Sequence, residues 1–202
     1  MMTAGKNANV LGKPVVLDPV GAGASKHRTA AALSLISGIR FDVIRGNISE
    51  LKTLASGHAK SRGVDADLEE ISRQADAVYT ADLACSFSKL TGSVVIISGE
   101  SDTVAYKDEA YAVRNGSPLM RSVTGTGCML SAICAAFAAS DADDKLNACI
   151  AAVSAMGICA ETAEQRMQPG EGNISFRNHL IDALFNLAPE DIDQKAKIEK
   201  IR

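Results

Sequence analysis

The chain has 202 residues, 47% of them hydrophobic and 22% charged, with a formal net charge of −3. That length carries one sizeable core and predicts one domain over residues 1–202. The charge gives no reason to expect a nucleic acid or an anionic membrane as partner. Five cysteines with no CxxC and no zinc-like spacing predict reduced thiols in a cytoplasmic protein. Residues 1–11 contain Lys6, Asn7 and Asn9 and no apolar run, so they do not read as a secretory signal.

In chain order, Ala4, Ala8 and Leu11 at helical spacing predict the end of a helix stopped by Gly12. Pro14–Leu17 is a short apolar run and reads as a buried strand. It ends in the polar, glycine-rich loop from Asp18 to Ser25. A helix is expected over Thr29–Ser37, and a second strand over Phe41–Ile44. Arg45, Gly46 and Asn47 leave that strand, and a helix follows through Leu51 and Leu54 to Ala55. Gly57–Asp67 is polar and reads as a surface loop, Leu68–Ala75 as a short helix, and Asp76–Leu90 as a clearer helix ended by Gly92. Val94–Ile97, four β-formers in a row, predicts a buried strand. Thr103–Tyr106 and Ala110–Arg114 read as a hairpin turning at Lys107–Glu109. Apolar helices are expected from about Gly125 to Ala139 and from Lys145 to Ala163. The apolar runs inside them, 129–139 and 148–160, are too short to span a bilayer and read as core. Leu146, Ile150, Val153 and Gly157 form a stripe for close packing on the neighbouring helix. A last helix covers Ile174–Leu187, and the charged tail after Asp191 is read as helical or frayed.

Strands alternating with helices predict an α/β fold, a mostly parallel central sheet with helices on both faces. Loops at the carboxyl ends of such strands are where open α/β sheets place ligands. Three stretches fall there. Thr124 is a candidate N-cap for the helix that follows it, and Gly125 and Gly127 let backbone approach a ligand closely. The free N–H groups of Gly125, Thr126, Gly127 and Cys128, with the positive end of the helix dipole, make a candidate anion site. Asn47 and Glu50 lie three apart at a helix start, which also fits a plain capping box. Arg45 lies just upstream and Asp18 ends the adjacent strand. Two carboxylates, an amide, an arginine and an anion site suit phosphoryl transfer with Mg²⁺.

Leu17–Ala24 (LDPVGAGA), Arg45–Glu50 (RGNISE) and Val123–Cys128 (VTGTGC) resemble the hydroxyethylthiazole kinase family of the ribokinase-like superfamily. The resemblance runs from Ala4 to about Ile192. It implies a ribokinase-like fold and ATP-dependent phosphorylation of 4-methyl-5-(2-hydroxyethyl)thiazole with Mg²⁺, in thiamine salvage. It also implies a homotrimer with active sites between subunits. Carried over by position, Arg45 and Ser98 contact ATP, with Asn47 and Thr124 beside it. Gly125 lies against the thiazole, Asp18 and Glu50 hold Mg²⁺, and the backbone of 125–128 stabilises the transferring phosphoryl group. Cys128 faces the substrate hydroxyl as candidate base, where the wider superfamily has Asp. The resemblance further implies an N-terminal segment with the first strands and much of the thiazole pocket, so the sheet here is expected to lack its N-terminal strands. Alternatives are a hydroxymethylpyrimidine-type kinase, against which Cys128 argues, or a non-catalytic nucleotide-binding fragment. Cys85, Cys134, Cys149 and Cys159 are read as buried hydrophobes. His27, His58 and His179 share no metal-binding spacing.

Overall fold

A computed structural model describes residues 1–61 and 77–202. Its centre is a six-stranded sheet whose strands neighbour one another in chain order. Strand β1 is Val16–Leu17, β2 Val43–Asn47 and β3 Val94–Ser98. These three are parallel, in a register that sets Leu17 beside Ile44 and Asn47 beside Ser98. Strand β4 (Asp102–Tyr106) turns back antiparallel, β5 (Glu109–Val113) turns again, and β6 (Ile198–Lys200) closes the order antiparallel to β5. Four of the six strands, β1, β2, β3 and β5, therefore share one direction. The hairpin turns at Lys107, whose φ of 54° is the left-handed geometry that a tight turn requires.

Side chains alternate across the sheet with the strand period of two. Val43, Val94, Ile96, Val104 and Val113 face one core. Ile44, Val95, Ile97, Ala105 and Ala110 face the other. Helices α5 (Thr126–Ser140), α6 (Lys145–Arg166) and α7 (Asn173–Phe185) cover the first face. Helices α2 (Lys26–Gly38), α3 (Ile48–Ser61) and α4 (Ala77–Thr91) cover the second. Helix α1 (Met2–Val10) packs on α2, with Gly5 against Ile39. The four cysteines read as core, Cys85, Cys134, Cys149 and Cys159, are all buried, and Cys128 is exposed. Burial pushes the Cys134 thiol up to about 12 and the Cys159 thiol up to about 11. Of the described helices, α6 alone is long and apolar enough to cross a bilayer, and most of it is buried inside the protein.

Several elements differ from the sequence reading. Strand β1 has only two residues. Arg45, Gly46 and Asn47 belong to β2 rather than leaving it. Helix α3 runs on through Gly57, where a loop was expected, because Gly57 packs on α2: a Cβ there would stand 2.8 Å from a Leu33 methyl. The expected helix at Leu68–Ala75 and the start of the next at Asp76 lie outside the described residues. The expected last helix is α7, a further helix α8 (Pro189–Lys195) follows it and carries the first part of the charged tail, and the rest of that tail supplies β6. Gly157 meets the β5 connection rather than a neighbouring helix. A Cβ on it would lie 2.5 Å from the Asn115 carbonyl oxygen.

Asn115 in turn ties that connection down. Its amide donates to Glu161 at 3.2 Å and to the Lys195 carbonyl at 3.0 Å, and its oxygen accepts from the Lys197 N–H at 2.7 Å. Overpacking a site of this kind costs about 1–3 kcal/mol. Gly157→Ala is therefore expected to lower the urea unfolding midpoint by that equivalent. An unchanged midpoint would show that the backbone of 114–117 yields freely.

Candidate active site at the carboxyl ends of the parallel strands

Parallel pairing brings the carboxyl ends of β1, β2 and β3 to one edge, and the site forms there around Arg45. This residue is 7% exposed. Its Nη1 donates to Asp18 Oδ2 and to the Gly127 carbonyl, each at 3.0 Å. Its Nη2 donates to Ser98 Oγ at 2.6 Å. Its Nε is buried with no hydrogen-bond partner. Asp18 follows β1, Ser98 ends β3 and Gly127 lies in the first turn of α5, so one guanidinium joins three strand ends to a helix. Ser131, one turn further along α5, donates to Asp18 Oδ2 at 2.7 Å and lies 3.1 Å from the Gly127 carbonyl.

The turn into α5 is built differently from its sequence reading. The N-cap is Gly125, at φ 102°, and not Thr124, which is exposed. A left-handed cap suits glycine because it has no Cβ to clash. The hydroxyl that supports the turn is that of Thr126, 3.3 Å from the Met120 carbonyl and 3.4 Å from that of Val123. Among the described residues no acceptor meets the N–H groups of Thr126, Gly127 or Cys128. These are the orphan donors of a helix start. Gly127 is confined by the arginine, since a Cβ would stand 3.0 Å from Arg45 Nη1. Cys128 is exposed at the third helical position.

Asn47 and Glu50 form a reciprocal cap. Asn47 Oδ1 accepts from the Glu50 N–H and Glu50 Oε2 from the Asn47 N–H, both at 2.9 Å. The second Glu50 oxygen, Oε1, accepts from the Gly21 N–H at 2.8 Å. The capping reading thus holds, and the same carboxylate also fastens the glycine-rich loop that begins at Asp18. Asp18, Arg45, Ser98 and Gly127 are brought into direct contact. Asn47 and Glu50 join them through that loop. Thr124 and Cys128 flank the group without bonding to it among the described residues. His27 is exposed on α2.

A cleft of about 490 Å³ opens beside this network. It is lined by Arg45, Ser98 and Gly127, and also by Asp102, Arg114 and Arg121. Sequence reading missed these last three and Ser131. Only Ser131 left a signal, its four-residue spacing from Gly127. Asp102 accepts from the Gly99 N–H at 2.9 Å and so shapes the turn after Ser98. Burial raises its carboxyl to about 6, against the opposing effects of that hydrogen bond and of the Arg45 charge.

Comparison with known proteins matches the hydroxyethylthiazole kinase family over residues 1–190. The chain belongs to that family. It is 48% identical over 199 residues to a hydroxyethylthiazole kinase of Clostridium acetobutylicum, covering 98% of this chain and 73% of that one. It is 40% identical over 210 residues to one from Desulfovibrio desulfuricans, covering 100% and 74%. A solved hydroxyethylthiazole kinase structure from Pyrococcus horikoshii superposes with a TM-score of 0.81 at 33% identity, covering all of this chain and 70% of the other. The fold is therefore the family's α/β architecture, and a hydroxymethylpyrimidine-type kinase is not favoured.

Asp102 makes stability depend on pH with a definite sign. Its carboxyl titrates near 3.8 when unfolded and near 6 in the fold. The folded chain holds more protons between those values, so this contribution to stability falls as pH rises through them. Asp102→Asn keeps the acceptor for Gly99 and removes the titration. Urea unfolding should show the variant gaining on the wild type between about pH 4 and about pH 7. Parallel curves would show that the carboxyl titrates alike folded and unfolded.

Proposed function

We propose that this chain transfers a phosphoryl group from ATP to the hydroxyl of 4-methyl-5-(2-hydroxyethyl)thiazole. The observation that carries the reading is the buried Arg45 with one N–H still unmatched, standing beside three open backbone donors of α5. Donors fixed in advance suit an anion whose charge develops during the reaction. Arg45 and Ser98 hold the ATP phosphates, with Asn47 at the edge of the site. The N–H groups of Thr126, Gly127 and Cys128 receive the oxygens of the transferring group. Gly125, bare of a side chain, borders the thiazole. Cys128, exposed at the same helix start, accepts the proton of the attacking hydroxyl. Thr124 stands beside the nucleotide through its backbone, since its side chain makes no cap.

The carboxylates present suit Mg²⁺. That ion takes one or two carboxylates together with water and phosphate oxygens. Asp18 has Oδ1 outside its bonds to Arg45 and Ser131, and each Glu50 oxygen accepts a single N–H. When bound, Mg²⁺ supplies charge neutralisation for the phosphates. The proposed assembly is a homotrimer with the site at the subunit interface. An apolar hollow of about 520 Å³ supports it: the hollow is lined by α1, the β1 edge and Ala132 and Ala135 of α5, and reaches Asp18 and Ser131. A mass by light scattering of one chain alone would contradict that assembly.

The activity is tested by ADP release on mixing chain, ATP, Mg²⁺ and the thiazole alcohol. Release is expected only with the alcohol present, and its absence overturns the reading. General-base catalysis contributes about 10²–10⁴-fold. Cys128→Ala should lower kcat by a factor in that range and leave ATP binding intact, because backbone donors hold the phosphates. The double variant Asp18→Asn with Glu50→Gln should lose most of its Mg²⁺-dependent ATP heat in calorimetry. Unchanged heat would leave Glu50 as a cap alone.

A further inference from the structure

Three arginines line the cleft, and two of them are compensated. Arg45 is paired with Asp18 at 3.0 Å, and Arg114 with Glu199 at 2.5 Å. The Arg121 side chain makes no ion pair or hydrogen bond among the described residues, although Glu100 and Asp102 line the same cleft. Its backbone, by contrast, is fastened on both sides. It sits in the 3-10 helix Pro118–Ser122, whose start is capped by the Ser117 hydroxyl. Asn173 donates to the Ser122 carbonyl at 3.1 Å, the Val123 N–H donates to the Met120 carbonyl at 3.2 Å, and the Thr126 hydroxyl closes on that same carbonyl. A held backbone thus carries an exposed, uncompensated guanidinium into a cleft, four residues before Gly125. Clustering like charges costs free energy unless an anion joins them. The fork of an arginine matches phosphate oxygens, and such charge-assisted bonds are the stronger kind.

We propose that Arg121 binds a phosphate of the donor nucleotide and so sets donor affinity. This rests on the reading of the cleft as the nucleotide site. The contact forms on nucleotide entry, because the free protein gives this side chain no partner. It belongs to ground-state binding, so it acts on KM for ATP rather than on kcat.

Calorimetry on the full chain with ATP, ADP and adenosine, each with Mg²⁺, separates the outcomes. Arg121→Ala should weaken ATP about tenfold, the scale of one hydrogen bond to a charged group. ADP should weaken as well and adenosine should not. Arg121→Lys should recover part of the loss. The salt dependence of ATP binding should be shallower in Arg121→Ala than in the wild type. KM for the thiazole should stay unchanged. Equal weakening of adenosine and ATP would make the effect one of cleft shape and overturn the proposal, and wild-type ATP affinity in Arg121→Ala would overturn it directly. A wild-type chain that binds no nucleotide would overturn both this inference and the reading of the cleft beneath it.

Discussion

A guanidinium buried at the end of a central strand is the constraint on which the rest of this site depends. Desolvating such a charge is costly unless it is paired and hydrogen-bonded, and removing one partner of a buried pair costs roughly 3–5 kcal/mol. Arg45 meets this cost with a carboxylate just after β1, a hydroxyl from β3 and a carbonyl from α5. Each partner lies on a different element, so the requirement of one side chain fixes the relative placement of four. The approach of α5 is set by the same contact. A bare Gly127 lets its carbonyl reach Nη1 closely, since a Cβ would stand 3.0 Å from that nitrogen. What remains unmatched is also informative. The Nε hydrogen and the first N–H groups of α5 are donors without acceptors among the described residues.

Glu50 shows that a structural and a chemical role need not compete. Its reciprocal bonds with Asn47 satisfy a helix start, a role worth about 0.5–2 kcal/mol for caps in general. Its other oxygen reaches Gly21 and fixes the loop that leads from Asp18. Glu50 is thereby held by backbone donors, while Asp18, after the adjacent strand, is held by Arg45 and the Ser131 hydroxyl. An acceptor already bonded by a single N–H keeps a lone pair for a further donor or an ion. The cap therefore orients the carboxylate without exhausting it.

Much of this was legible in the sequence, and the misses have physical causes. Val94–Ile97 is apolar throughout because both faces of β3 are covered, so its composition alone identified it. The order of Asp18, Arg45 and Gly127 along the chain foretold their meeting, because parallel strands deliver their carboxyl ends to one edge. Gly57 read as the start of a polar loop, yet close approach of α2 favours a residue without a Cβ inside α3. Strand β6 has no apolar pattern to announce it: all three of its residues are exposed, and it pairs through backbone to β5 while Arg114 and Glu199 meet beside it. Thr124 looked like the cap because threonine is a good one. The chain instead turns left-handed at Gly125, and Thr126 braces the turn from within the helix. Asp102 and Arg121 could not be found from sequence, since neither spacing nor composition says that a hairpin start and a 3-10 turn face the same cleft.

The cleft's polarity follows from this division of labour. Its floor is rigid, made of strand ends and a helix start locked by Arg45. Its wall from Arg114 to Arg121 belongs to a connection held at a distance, by Asn115 on Glu161 and by Gly157 pressed beneath it. A floor fixed by buried bonds can hold the reacting group in one orientation. A wall whose side chains reach solvent can add or release charge as the ligand comes and goes. In the proposed reading, the first property serves the chemical step, where preorganised donors lower the barrier. In the same reading, the second serves entry and release, through the contact proposed for Arg121. Both are present because α6 and the last strand brace the wall from behind, so its backbone need not move for its side chains to respond.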